Sequence, residues 1–410
     1  VQALTNKKKI INDPVYGFVS IHSTLIYDII EHPYFQRLRR IKQLGLSALV
    51  YPGALHTRFQ HVIGAMSLTR QAIEILRSKG VEITEEEAEA VCVAVLLHDI
   101  GHGPYSHTLE HVIINDVSHE AISLAFMNVL NEEFNGKLSL AIHIFKDTYH
   151  KRFLHQLVSG QLDMDRLDYL RRDSFYTGVQ EGVIGHDRII NMLNVHEGEL
   201  VIDEKGIYSI EKFLIARRLM YWQVYLHKTV IAAEAVLVKT LERAALLSRS
   251  GIELFATPAF NYFLKHPVTE SEFLNNPQLL DLYSKLDDFD VFTSIKVWSE
   301  DEDPILRKLC RQLTQRELPA IEISNDLFDK KYIEEKKRQA AHDLKIDEKE
   351  ADYFVFTDSV TNKAYSPEGF NIKVLYRTGI VKDIAEASDQ YNITALTQPV
   401  RKYFLCYPKK

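Results

Sequence analysis

Cysteine is scarce in this chain of 410 residues. Cys92, Cys310 and Cys406 stand far apart, odd in number, with no Cys-x-x-Cys pair. That pattern offers neither a disulfide framework nor a thiolate metal site, and it fits a reducing, cytoplasmic compartment. No apolar run approaches membrane-spanning length and no secretory signal is visible, so no membrane association is expected. An excess of positive charge is also missing: 49 Lys and Arg face 56 Asp and Glu, for a net charge of −7. The surface as a whole is unsuited to polyanions, and strong nucleic-acid binding is not expected. Any phosphate recognition has to be local and concave. Internal repeats and low-complexity tracts are absent. The first residue is Val1 rather than Met, which leaves the natural start open, and Lys7-Lys8-Lys9 reads first as a solvated, frayed end.

A chain of this length accommodates two or three domains, and most of it reads as helix. Pro33 suits a first helical position, and Tyr34 to Leu44 runs to Gly45 as a C-cap. A second helix is expected over residues 57–79, stopping at Gly80. A third opens with Thr84 and Glu87 as a capping box, and its Ala88, Val91, Cys92, Val95 and Leu96 recur at helical spacing. Ser118 caps a further helix through Leu130, residues 163–172 read as helical, and residues 209–248 carry a long helical pattern in one or two pieces. The acidic run 299–303 before Pro304 marks a loop and a new helix start. Beyond Arg316 the character changes. Residues 320–324, 352–357, 370–376 and 402–407 are short alternating apolar runs, with Ser366-Pro367-Glu368-Gly369 as a turn. The expectation is a mainly α protein: a helical catalytic core over residues 1–318 and a small α+β region over 319–410.

The third helix delivers His98-Asp99 at its C-terminal end, where Gly101, Gly103 and Pro104 prevent simple continuation. Imidazole and carboxylate are both metal ligands. Further candidates are His61 on the second helix and Asp165 within Asp163-Met164-Asp165-Arg166-Leu167-Asp168, with His119 nearby in sequence. A single buried His or Asp is more often a hydrogen-bonded core residue. Four such groups on separate elements, beside the segment Gly101-His102-Gly103-Pro104-Tyr105-Ser106-His107, favour a metal centre of His61, His98, Asp99 and Asp165. A nitrogen and oxygen shell suits a hydrolytic divalent ion such as manganese, iron, nickel, magnesium or zinc, with room left for water or a substrate oxygen.

The segments Gly53-Ala54-Leu55-His56-Thr57-Arg58-Phe59-Gln60-His61 and Leu97-His98-Asp99-Ile100-Gly101-His102-Gly103-Pro104, with Ser106-His107, resemble the HD-domain phosphohydrolases. More narrowly, the chain is similar to the deoxynucleoside triphosphate triphosphohydrolases (dNTPases, including dGTPases), a group with a vertebrate member that carries a sterile-alpha-motif domain. The resemblance begins at Ile11-Asn12-Asp13-Pro14. It includes Phe35-Gln36-Arg37-Leu38-Arg39-Arg40-Ile41-Lys42-Gln43-Leu44-Gly45 and runs through Asp165-Arg166-Leu167-Asp168-Tyr169 to about Lys228.

What the resemblance implies is hydrolysis of a dNTP to the deoxynucleoside and inorganic tripolyphosphate, with the metal on His61, His98, Asp99 and Asp165. Water attacks the α-phosphorus and the 5′-oxygen leaves. His107 is the expected acid at that oxygen, His102 and His119 bracket the phosphate, and Glu110, an aspartate in the vertebrate enzyme, orients an imidazole. Arg166, Arg217 and Lys228 match the cations for the triphosphate, Arg166 standing where that enzyme has lysine. Gln43, Leu44, Tyr169, Asp173 and Tyr225 match the sugar pocket. Gln43 and Asp173 would hold a 3′-hydroxyl, while Leu44 and Tyr225 leave no space for a 2′-hydroxyl. Arg58 is expected to stack on the base. Leu226 stands where the relative has glutamine, so base preference does not carry over.

The resemblance also implies an activating guanine nucleotide bound between subunits, and hence a homo-oligomer, dimer or tetramer. The matching positions are Lys9, Ile10, Asn12, Gln36, Arg39, Phe59 and Arg316, with Glu31 where an aspartate reads guanine. Read alone, Arg37, Arg39, Arg40 and Lys42 make equal sense as the charged face of a helix. Two other functions share the metal ligands. One is an HD phosphohydrolase acting on another nucleotide phosphoester, which would not need the sugar-pocket residues. The other is a nucleotide-binding regulator with a dormant site, against which the intact histidines and aspartates argue.

Overall fold

In the computed structural model, described here for residues 9–105, 114–115, 117–362, 365, 371–390, 393 and 396–409, an N-terminal hairpin of β1 (Lys9–Asp13) and β2 (Gly17–Ile21) leads into α1 (Thr24–Glu31). The helix expected over residues 34–44 is instead broken into a short helix, Pro33–Gln36, and a 3₁₀ turn, Arg37–Arg40. Its amides bond elsewhere: the Lys42 N–H donates to Asp288 at 2.9 Å and the Gln43 N–H to the His56 carbonyl at 3.0 Å. Those partners replace the carbonyls four residues back that an α-helix would use.

The next two helices form as the sequence predicts. α2 (Arg58–Ser78) closes at Gly80, whose φ of +87° suits glycine. α3 (Glu85–Leu97) starts with both bonds of the Thr84 and Glu87 capping box. Residues from Ala90 to Leu97 are buried all round, which makes α3 the central helix, each large apolar side chain contributing about 1.5–3 kcal/mol of burial. α2 packs on α3 and also on α5 (Met164–Thr177). α4 (His119–Glu133) is capped by Ser118, which accepts from Ala121 N–H at 3.2 Å.

The pattern over residues 209–248 resolves into α6 (Ile207–Met220), a π-helical turn over Tyr221–Tyr225, and α7 (Lys228–Arg249). α8 (Asp288–Trp298) precedes α9 (Pro304–Thr314), whose N-cap is Asp303. Pairing of β3 (Leu193–His196) with β4 (Glu199–Asp203) was not expected from the sequence.

The C-terminal strands form two sheets. β5 (Ala320–Ser324), β6 (Phe356–Asn362) and β9 (Val400–Tyr407) make an antiparallel sheet with β9 in the middle. The turn expected at residues 366–369 lies outside the described residues, and the run expected over 352–357 straddles the end of a 3₁₀ turn, Glu350–Tyr353, and the start of β6. β7 (Lys373–Leu375) and β8 (Val381–Asp383) pair with each other, and β7 also pairs in parallel with β4. One sheet therefore joins residues from both sides of position 318. Phe404 and Cys406 of β9 pack on Ile231 and Ala232 of α7, near the start of that helix. Among the described residues no helix is long and apolar enough to cross a membrane.

Candidate active site

His61 sits in the first turn of α2, Asp165 in the first turn of α5, and His98 and Asp99 at the end of α3. The packing of α2 on both other helices brings the four side chains together. His61 Nε2 lies 3.0 Å from Asp165 Oδ1 and 3.7 Å from Asp99 Oδ2. His98 Nε2 lies 3.3 Å from Asp99 Oδ1 and 3.6 Å from Asp165 Oδ1. Each imidazole is oriented through its other nitrogen: His61 Nδ1–H donates to Asp168 at 2.7 Å and His98 Nδ1–H to the Val95 carbonyl at 2.6 Å. Both Nε2 atoms are buried with no aligned hydrogen-bond partner among the described residues.

The electrostatics match this geometry. Burial depresses both imidazoles, but Asp165 and Asp168 overrule it and raise the His61 pKa to about 10. At His98 the carboxylates of Asp99 and Asp165 raise it to about 9. Burial pushes the two carboxyl groups upward in turn. The histidines hold Asp165 below its ordinary value, and His98 with Arg58 does the same for Asp99. A field that retains protons on two imidazoles would bind a dication in their place. Adjacent ligands around an ion with bonds of about 2.1 Å are about 3 Å apart, close to the separations found. The donor set, the spacing and the two buried Nε2 atoms that face carboxylates without an aligned hydrogen bond fit a divalent metal.

Sequence reasoning missed the support behind His61. Asp168 accepts from Arg172 Nε at 2.9 Å and Nη2 at 3.0 Å, and Arg172 Nη1 donates to Asp13 at 2.7 Å. All three side chains are buried. The available signal was the i, i+4 spacing of Asp168 and Arg172 on one helix. Gly64 makes the arrangement sterically feasible, since a Cβ there would lie 2.1 Å from both Arg172 Nη2 and Asp168 Oδ1.

His102 and His119 stand beside this cluster, their rings stacked 3.8 Å apart at 18°. His102 Nε2 is 3.3 Å from Asp99 Oδ1. Burial, reinforced by the Arg58 charge, pushes the His102 pKa well down. His107 and Glu110 lie outside the described residues.

On the α5 and α6 side, burial raises the Tyr169 hydroxyl, while Arg217 and Arg166 pull it down and Tyr221 and Asp165 push it up, so these groups share one environment. Arg166 pairs with Asp163, and Arg217 reaches Gln161 at 3.4 Å. Lys228 is exposed at the start of α7. Tyr225 packs edge-on against Tyr169, with ring centres 6.0 Å apart, and its hydroxyl donates to Asp173 at 2.7 Å. Leu44 packs against the core at the edge of a 3₁₀ turn, next to Gln43, whose Oε1 is buried without a partner among the described residues. The stacking expected of Arg58 is not the arrangement present: its guanidinium is buried and paired with Asp99.

The residues matched to a second nucleotide site fall into two groups. Lys9 pairs with Glu31, Gln36 accepts from Arg39 Nε at 2.8 Å, and the Arg39 guanidinium lies 3.5 Å from the centre of the Phe59 ring. Ile10 and Asn12 are exposed on β1 close by. Arg316 is held elsewhere, donating to the Leu49 carbonyl at 2.9 Å.

A mainly helical frame carrying His61, His98-Asp99 and Asp165 at one crossing defines the class of protein. Residues 58–169 match the HD domain family, and residues 184–255 match the HD associated region. The chain belongs to the HD-domain family and is a phosphohydrolase. It is 56% identical to a phosphohydrolase from Bacteroides thetaiotaomicron VPI-5482, with a TM-score of 0.95 over 98% of this chain and 100% of that one. It is 35% identical over 320 residues to YwfO of Bacillus subtilis, covering 76% of this chain and 71% of that protein. It is also 27% identical over 363 residues to the human deoxynucleoside triphosphate triphosphohydrolase SAMHD1, covering 78% of this chain and 55% of that protein.

Proposed function

We infer that the protein hydrolyses deoxynucleoside triphosphates to the deoxynucleoside and inorganic tripolyphosphate. The observation that carries this reading is the convergence of His61, His98, Asp99 and Asp165, whose two buried Nε2 atoms face carboxylates without an aligned hydrogen bond. A divalent ion held by those four residues would supply an activated water and neutralise charge on the α-phosphate. Arg166, Arg217 and Lys228 hold the triphosphate oxygens. His102, kept neutral by burial, and His119 line the phosphate and donate hydrogen bonds to it. Water attacks the α-phosphorus, the bond to the 5′-oxygen breaks, and that oxygen takes a proton from His107, which Glu110 orients.

At the other end Gln43 and Asp173 hold the 3′-hydroxyl, and Leu44, Tyr169 and Tyr225 close the pocket against ribose. The Lys9, Glu31, Gln36, Arg39 and Phe59 group takes an activating guanine nucleotide in a homo-oligomer. The test is to incubate protein loaded in turn with manganese, iron, nickel, magnesium or zinc with each dNTP, alone and in mixtures, and to identify products. Deoxynucleoside plus tripolyphosphate is expected. Orthophosphate or pyrophosphate release would instead indicate another phosphoester substrate, and nucleotide binding without turnover would indicate a regulator.

A further inference from the structure

His56 has no role in the function proposed above, yet its side chain is fully buried beside the sugar pocket. Its Nε2 lies 2.8 Å from Asp173 Oδ1. A carboxylate only accepts, so Nε2 carries the hydrogen and donates. The second oxygen, Oδ2, accepts from the Tyr225 hydroxyl at 2.7 Å. Two donors on two different oxygens fix both the place and the plane of the Asp173 carboxylate. The His56 ring is itself fixed, stacked on Tyr176 at 4.4 Å and 17°, and Tyr176 accepts from Gln60 at 2.9 Å. His56 Nδ1 is buried without a partner among the described residues, so Asp173 and Tyr176 set the ring's orientation.

The main chain of His56 makes a second connection, its carbonyl accepting the Gln43 N–H at 3.0 Å. One residue thus grips Asp173 through its ring and Gln43 through its backbone. Gln43 Oε1 is a buried acceptor with no partner among the described residues, and Asp173 keeps lone pairs beyond those used by His56 and Tyr225. A buried acceptor without a donor is costly until a ligand supplies one.

We propose that His56 is a positioning residue for nucleoside recognition. It keeps Asp173 and Gln43 converged as acceptors for a sugar hydroxyl, and so sets the preference for a 3′-hydroxyl over a 3′-deoxy sugar. This rests on the dNTP reading given above.

The experiment compares each of the four dNTPs with its 2′,3′-dideoxy counterpart, with a guanine nucleotide present throughout. The readouts are kcat/KM and the nucleotide-induced shift in melting temperature. Wild-type protein is expected to favour the 3′-hydroxyl substrate. In His56→Phe, which keeps an aromatic ring against Tyr176, the preference should fall by about tenfold, mostly through KM, as a charge-assisted hydrogen bond to the sugar loses its geometry. His56→Asn, too short to reach Asp173, should behave alike and decides the matter where the phenylalanine variant does not fold. His56→Gln, whose amide places a donor near the Nε2 position, should restore the preference. A folded His56→Phe or His56→Asn protein that retains the wild-type ratio overturns the assignment, as does a wild-type enzyme indifferent to the 3′-hydroxyl. Wild-type protein that turns over no dNTP overturns the dNTP reading itself, and the His56 role with it.

Discussion

The Arg37 guanidinium donates from Nη2 to the carbonyl of His102 at 2.7 Å. It also donates from Nη1 to the Ile100 carbonyl at 3.1 Å and from Nε to the Leu286 carbonyl at 2.7 Å, fully buried throughout. Tyr283 lies against its face and donates its hydroxyl to the Gly101 carbonyl at 3.0 Å. Asp288 accepts the Lys42 N–H at 2.9 Å and the Tyr105 N–H at 2.8 Å. The segment carrying His102 is therefore held through its backbone by groups that do not use the His102 ring.

Replacing Arg37 with methionine leaves three buried carbonyls without donors. The expected cost is about 3 kcal/mol or more, read as a lower midpoint in chemical denaturation. Arg37→Lys should recover only part of it, because one ammonium cannot reproduce a planar fork aimed at three carbonyls. A lysine variant as stable as wild type would show that charge alone, and not the fork, is what matters.

Asp168 touches His61 from behind and not the proposed ion. Asp168→Asn should lower metal affinity about 10–100-fold, as loss of a partner that orients a ligand does elsewhere, while Asp165→Ala or His98→Ala should abolish metal retention and turnover together. Metal content after dialysis and titration calorimetry would measure both. A fully active, metal-replete Asp165→Ala protein would falsify the ligand assignment.

Gly64→Ala tests the close approach of α2 to the Asp168 and Arg172 pair. The added methyl would sit 2.1 Å from two atoms already bonded to each other and buried. Neither can retreat without breaking that bond, so a loss of about 3 kcal/mol is expected, with weaker metal binding through the displaced Asp168. A stability equal to wild type would mean that the two helices separate easily.

Glu234 gives a pH dependence away from the metal cluster. Burial raises its carboxyl to about 7, and its Oε1 lies 3.7 Å from where a Gly45 Cβ would stand. The folded pKa exceeds the unfolded one. The contribution to stability is therefore complete below about pH 4.5 and is lost as pH rises through 7. Glu234→Gln should remove that loss, leaving a variant about 1 kcal/mol more stable than wild type at pH 8, with the gap closing at pH 5. Paired thermal melts at the two pH values would show it, and a gap that does not change with pH would count against the shift.

The helices on which the site stands were legible because their signals are local. Thr84 with Glu87, Ser118 and Gly80 each mark a helix end by side-chain chemistry within a few residues. The His61, His98, Asp99 and Asp165 cluster was legible because four ligand-type groups on separate elements stand beside the segment of residues 101–107 in the pattern of the HD-domain family. Less could be read where partners are distant. The helix expected through Leu44 fails because Asp288 and His56 take its amides. β7 falls within the run expected over residues 370–376, but its parallel partner β4, far back in the chain, is not visible in any local pattern. The β3–β4 hairpin did carry a clue, Glu197 and Gly198 both adopting positive φ in its turn. Arg37 read as part of a charged surface because its neighbours are basic, and only the tertiary structure shows it inside.

The pairing of Lys373 with Val201 also bears on how the molecule is made. On the ribosome, the helices around His61 and His98 emerge first, while the place beside Val201 stays vacant until Lys373 has been synthesised. Phe404 and Cys406 arrive later still to cover the start of the helix that begins at Lys228. A nascent chain thus has the helices carrying His61 and His98 long before the strands that complete the sheet beside Val201. The sheet beside Val201 and the cover over the start of that helix are therefore the last parts of the fold to be completed.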